Sequence, residues 1–147
     1  MAQVLAARGR VPGIGKARNV VELADGRSQS VGESLTRVAL HRLNLPAPVP
    51  QFEVRTRLEV HRLDFAWPKL KLALEFDGGL KCRGKTPAAE VLLQERKRER
   101  ALQEAGWTFL RLDAEGPEWK DLFNDAALKA RVLAAMAEAR RRQAAAA

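Results

Sequence analysis

Two apolar runs separated by a short turn constrain this chain more than anything else in it. Residues 58–67 read LEVHRLDFAW and residues 70–77 read LKLALEFD, with Pro68 and Lys69 between them. Both alternate apolar with polar residues, the period of a half-buried β-strand. A proline-led turn joining two such runs predicts a hairpin. With Pro68 and Lys69 as its tip, Leu63 faces Leu74 and Phe65 faces Leu72, so one side of the hairpin is wholly apolar. On the other side Asp64 falls opposite Ala73, with Glu75 its diagonal neighbour, roughly 7–8 Å away along the backbone. Asp77 follows on the same face as Glu75, before two glycines, Gly78 and Gly79.

Carboxylates gathered like this oppose one another's ionisation unless a positive group intervenes. A hard cation such as Mg²⁺ would intervene, because it binds through one or two carboxylates together with water and phosphate. A plain ion-pair network with Arg62 or Lys71 on the same face would serve as well, and spacing alone favours it slightly.

The flanking sequence supplies the rest of an α/β layer structure. GKARNVVELADG (15–26) predicts a short helix, and a clearer one spans Ser30 to Leu43, ended by the prolines of NLPAPVP. QFEVR (51–55) predicts a further strand. Thr86-Pro87 marks the start of a helix that stops at Gly106. WTFLRL (107–112) is a fourth strand, and residues 116–142 are helical, with a break near Asn124-Asp125. The order is helix, three strands, helix, strand, helix: an αβββαβ core with a mixed sheet flanked by helices. Residues 1–27 form an N-terminal arm, 28–142 the domain, and 143–147 a frayed alanine tail.

Composition narrows the partners. The chain has 147 residues and a net charge of +8, which points to a polyanion. No apolar run is long enough for a membrane span or a secretory signal. The single cysteine, Cys82, forms no internal disulfide, so a reducing, cytoplasmic setting is expected.

Two helices carry charged residues in unexpected places. Val91, Leu102 and Ala105 share one stripe of the helix ending at Gly106, and Glu95 and Arg98 fall within it. They pair with each other at i, i+3, or they face the acidic side of the sheet. Ser30-x-x-Glu33 is a capping box, and Arg37 and His41 continue from Glu33 at helical spacing. Trp67, Trp107, Trp119 and His61 fit core positions.

GESLTR (32–37), HRLDFAWPKLKLALEFDGGLK (61–81) and QERKRERALQEAGWTFLRL (94–112), in that order, resemble the small endonuclease domains related to very-short-patch-repair nucleases. Such domains also occur in AbiEi-type proteins, phages and actinobacteria, and belong to the PD-(D/E)XK restriction-endonuclease-like superfamily. The resemblance, over Ser28 to Leu112, implies a metal-dependent DNA endonuclease. In that reading Glu33, Asp64 and Glu75 hold Mg²⁺ or Mn²⁺, and Asp77, Glu95 and Arg98 complete the catalytic group. The family's motif lysine is replaced by Asp77, leaving Lys81 or Lys85 to supply the positive charge. Arg37, Arg83, Lys85 and Lys97 would contact DNA, as would Arg8, Arg10, Lys16, Arg18 and Arg140–Arg142. Structure-specific cleavage by a homodimer fits the same pattern. The missing lysine equally suits a non-catalytic nucleic-acid-binding or regulatory protein on a decayed nuclease scaffold.

Overall fold

A computed structural model of the chain describes residues 3, 11–57, 59–77, 88–113 and 117–146. Helix α1 (Ile14–Leu23) precedes α2 (Val31–Arg42) and strands β1 (Val49–Arg55), β2 (Val60–Trp67) and β3 (Leu72–Asp77). Helix α3 (Ala88–Glu104), strand β4 (Thr108–Asp113) and α4 (Asp125–Ala146) follow, with 3₁₀ turns at Pro68–Leu70 and Pro117–Phe123. The sheet order is β1-β2-β3-β4. The first two pairings are antiparallel, and β3 with β4 is parallel across α3, so the sheet is mixed. Pro50 sits within β1 without disrupting the ladder because β1 is an edge strand.

Two cores lie on opposite faces of the sheet. Leu40 and Leu43 of α2 and Leu128, Val132 and Met136 of α4 pack on Phe65, Trp67, Leu72 and Leu74. Leu102 of α3 packs with Val54, Leu63, Ala66, Ala73 and Trp107. Burial of these side chains supplies the main driving force. Gly32 lets α2 lie close against β3, because a Cβ there would overlap the Phe76 ring.

The hairpin corrects the sequence reading in two ways. Its connection is a 3₁₀ turn closed by Lys71 at φ 46°, not a two-residue tip. Trp67 therefore pairs with Leu72 and Phe65 with Leu74, two residues away from the expected register. An even shift keeps each residue on its face; Ala73 now pairs with Ala66, and the ladder ends at Phe65–Leu74, one residue short of Asp64 and Glu75.

The second correction concerns Leu63 and Phe65, which do not share a face: they belong to the two different cores. The reversal falls at the rung between Pro50–Phe65 and Phe52–Leu63, where Gln51 stands opposite Asp64. Gln51 adopts φ 51°, a left-handed conformation inside a strand. That turns the edge strand over, and Asp64 lies at the turning point.

Helix α4 begins after Asn124, whose side-chain oxygen accepts the Ala127 N–H, so the expected break is a capped helix start. It continues through residues 143–146, where the sequence suggested a frayed tail; alanine propagates helix well, and Gln143 donates to the Lys69 carbonyl at 3.0 Å. No helix among the described residues is long and apolar enough to cross a membrane.

Candidate active site

Glu33 enters the site through the start of α2. Ser30 caps the helix by accepting the Glu33 N–H at 3.0 Å. The Glu33 carboxylate reaches back to the Gln29 N–H at 2.9 Å, one residue before the N-cap, so of the capping box read from the sequence the Ser30 half is present as expected. The same oxygen, Oε2, accepts a bond from the Gln51 side-chain amide at 2.8 Å. Glu33 is only 7% exposed, yet Oε1 has no bond among the described residues. One oxygen is fixed and the other is open.

Gln51 joins this acid to the next one. Its backbone conformation, which costs about 1–2 kcal/mol for a non-glycine residue, places the amide toward α2 while Asp64 occupies the facing rung. Asp64 Oδ2 accepts the Phe76 N–H at 3.0 Å. The carboxylate thus bridges from β2 to the backbone of β3 one residue past Glu75. Strain of this kind gathers where side chains must be held in set positions.

Glu75 lies on the α3 side of the sheet. Its carboxylate is 12% exposed and pairs with Arg98, itself 23% exposed. Arg98 also donates to Glu95 at 2.8 Å and to the Arg62 carbonyl at 3.1 Å. Arg111 of β4, level with Glu75 in the parallel register, stands 3.9 Å from Glu75, 3.7 Å from Glu95 and 3.1 Å from Glu99. Burial pulls the Arg98 guanidinium down, but its bonds and charges with Glu75 and Glu95 outweigh this and leave it above the ordinary arginine value.

Arg62 and Lys71, the partners considered from the sequence, do not pair with these acids. Arg62 donates to the Gln29 side chain at 2.7 Å and Lys71 to the Ala105 carbonyl at 2.9 Å. Glu95 and Arg98 satisfy both readings of their stripe: they pair at i, i+3 and they face the acidic side of the sheet. The excess of acid is plain. Among the described residues Glu75, Glu95 and Glu99 meet two guanidinium groups, Arg98 and Arg111, in a chain whose net charge is +8.

The other expected residues divide. Asp77 ends β3, exposed and level with Asp113 of β4. Lys97 is exposed on α3, whereas Arg37 is half-buried and donates to Ser28 Oγ. Arg141 and Arg142 both pair with Glu138. Lys81, Arg83, Lys85, Arg8 and Arg10 lie outside the described residues.

Sequence reasoning missed Gln51, Arg111 and Glu99. Only Arg111 had a usable signal, its level with Glu75 once β3 and β4 are taken as parallel.

Among the described residues no three His, Cys, Asp or Glu side chains form a metal-binding group. The donor chemistry still suits a hard cation held by two carboxylates, with water and phosphate completing its shell. Asp64 and Glu75, on adjacent strands just past the Phe65–Leu74 rung, are the carboxylates to consider.

No family model matches the chain. It is similar to uncharacterized proteins from two strains of Mycobacterium tuberculosis, each 38% identical over 104 residues, 70% of this chain. The chain spans 36% of the length of these relatives.

Proposed function

We propose that the chain is a metal-dependent DNA endonuclease of restriction-endonuclease-like fold. The observation that carries this reading is the Asp64 carboxylate reaching from β2 to the Phe76 N–H, one residue past Glu75, where Glu75, Glu95 and Glu99 converge on Arg98 and Arg111. Such a cluster in a strongly basic chain suits a site where a cation meets a polyanion.

Asp64 and Glu75 would hold Mg²⁺ or Mn²⁺, which when bound polarises a phosphoryl oxygen and lowers the pKa of water for phosphodiester hydrolysis. The chain's own residues do the rest. Glu33, fixed through Oε2, would offer Oε1 as an acceptor for water. Arg98 holds Glu75 in place against α3 while Glu95 restrains Arg98. Lys81 or Lys85 is assigned the charge that neutralises the phosphate, in place of the motif lysine. Lys97, Arg83 and the other basic residues grip the backbone, so affinity falls steeply with salt. The setting is cytoplasmic, and a homodimer would allow both strands to be cut.

A second reading has its own support. Arg98 and Arg111 already surround Glu75, as they would in a scaffold that binds nucleic acid without cutting it. Supercoiled plasmid and a four-way junction, incubated with Mg²⁺ or Mn²⁺, decide between the two. Cutting by the wild type that Glu75→Ala abolishes supports the nuclease. Salt-sensitive binding of both DNAs with no cutting under either metal supports the binder and refutes the enzyme.

A further inference from the structure

The Glu75 carboxylate, assigned above to a cation, is already held by one. Both terminal nitrogens of Arg98 face it: Nη2 donates to Oε1, and Nη1 stands 3.4 Å from Oε2. Such a fork covers both oxygens of a carboxylate, and this one is largely buried. A hard divalent cation binds carboxylate oxygen directly. The guanidinium and the cation therefore compete for the same two atoms.

The guanidinium has a second place to stay. Arg98 Nη1 also donates to Glu95 at 2.8 Å, and Nη2 to the Arg62 carbonyl at 3.1 Å. Neither bond involves Glu75, so Arg98 can give up that carboxylate and keep two acceptors, one of them charged. Glu95 lies one turn before Arg98 on α3 and is 42% exposed, so water reaches this second seat. Release from Glu75 thus avoids the high cost of a buried, unpaired charge. Arg111 is placed differently. It approaches Glu75 to 3.9 Å, but its closest carboxylate is Glu99, at 3.1 Å. It adds charge near Glu75 without occupying the oxygens.

The charges leave room for an incoming cation. Glu75, Glu95 and Glu99 carry three negative charges against two positive ones on Arg98 and Arg111. These five groups keep one negative charge over, which attracts a further cation even while Arg98 is in place.

We propose that Arg98 is an exchangeable internal counter-ion. It holds Glu75 while no divalent cation is present, and withdraws onto Glu95 and the Arg62 carbonyl when one binds. The inference rests on the nuclease reading only in taking Glu75 as a cation's ligand. Exchange of this kind lowers the apparent metal affinity by the fraction of molecules in which Glu75 is free. Arg98 then sets the metal concentration to which the site responds, and compensates its charge in the metal-free fold.

Titration of the DNA-free protein with Mn²⁺, the free ion being read by electron paramagnetic resonance, tests the exchange. Arg98→Met should bind Mn²⁺ about tenfold more tightly than the wild type, and the gain should vanish when Glu75→Gln is added. Arg111→Met is the control for charge alone. It removes a cation beside the same carboxylate but frees no oxygen, so its gain should be roughly a third as large or less, given its contact with solvent. Arg98→Gln keeps a neutral donor against Glu75 and takes the place of a methionine variant that does not fold, with the same expectation. No gain at position 98, a gain no larger than that of Arg111→Met, or a gain that persists without Glu75 overturns the proposal. After such a failure, wild-type binding that Glu75→Gln abolishes leaves the nuclease reading standing, whereas binding indifferent to Glu75→Gln removes its metal ligand as well. The expected gains in a protein that never cuts DNA would uphold the exchange and remove the enzyme.

Discussion

Replacing Arg98 by methionine tests how firmly Glu75 is tied into the fold. The substitution keeps the apolar stem and removes the guanidinium, with its bonds to Glu75, Glu95 and the Arg62 carbonyl. Breaking a fully buried ion pair from one side costs about 3–5 kcal/mol. Here Arg98 is 23% and Glu75 12% exposed, and Arg111 stands 3.9 Å from the same carboxylate. Partial solvation and that second cation reduce the expected loss to about 2–3 kcal/mol. In urea the midpoint should fall by about 1–2 M with an unchanged slope. Adding Glu75→Gln should cost less than the sum of the two single changes, because no buried charge is then left alone. Mn²⁺ should stabilise Arg98→Met more than the wild type, since a cation can occupy the place the guanidinium leaves. A midpoint within about 0.2 M of wild type, or simple additivity in the double variant, would refute the reasoning.

Other changes probe the neighbouring supports. Gly32→Ala drives a methyl into the Phe76 ring and should cost about 1–3 kcal/mol by overpacking, seen as a lower thermal midpoint. At Gln51, φ 51°, both Ala and Gly lose the amide bond to Glu33, but only Gly relieves the backbone; Gln51→Gly should exceed Gln51→Ala in stability by about 1 kcal/mol in urea. Arg27 holds the Asp25 carboxyl down to about 2 from 3.8 through its side-chain and backbone bonds. A depressed carboxyl contributes stability above its ordinary value and loses it as pH falls through the folded one. The wild type should therefore lose more stability than Asp25→Asn between about pH 4 and pH 2, followed by fluorescence-monitored unfolding.

The strands and helices were legible because their periods are strong. Leu72, Leu74 and Phe76 alternate as a buried strand should, and the helical period put Glu95 and Arg98 on the apolar stripe of Val91 and Leu102, leaving open whether they pair with each other or face the sheet. The hairpin register was not legible, because WPKL admits either a two-residue tip or a 3₁₀ turn, and each gives an all-apolar face. Gln51 was invisible for a different reason. A glutamine at positive φ has no compositional mark; packing and the bond to Glu33 impose it. Arg111 needed the parallel pairing of β4 with β3, a long-range fact that no local pattern carries. Type and spacing singled out Glu75 and Glu95 but not Glu99, and the partners of all three were set by topology.

Single-turnover cutting of an end-labelled duplex by wild type and Asp64→Asn, with Mn²⁺ and at matched DNA occupancy, tests the central claim most directly. The account predicts metal-dependent hydrolysis by the wild type and a loss of about a hundredfold or more in the variant, with binding retained. Equal rates in both proteins, or no cutting by fully bound wild type, would contradict it.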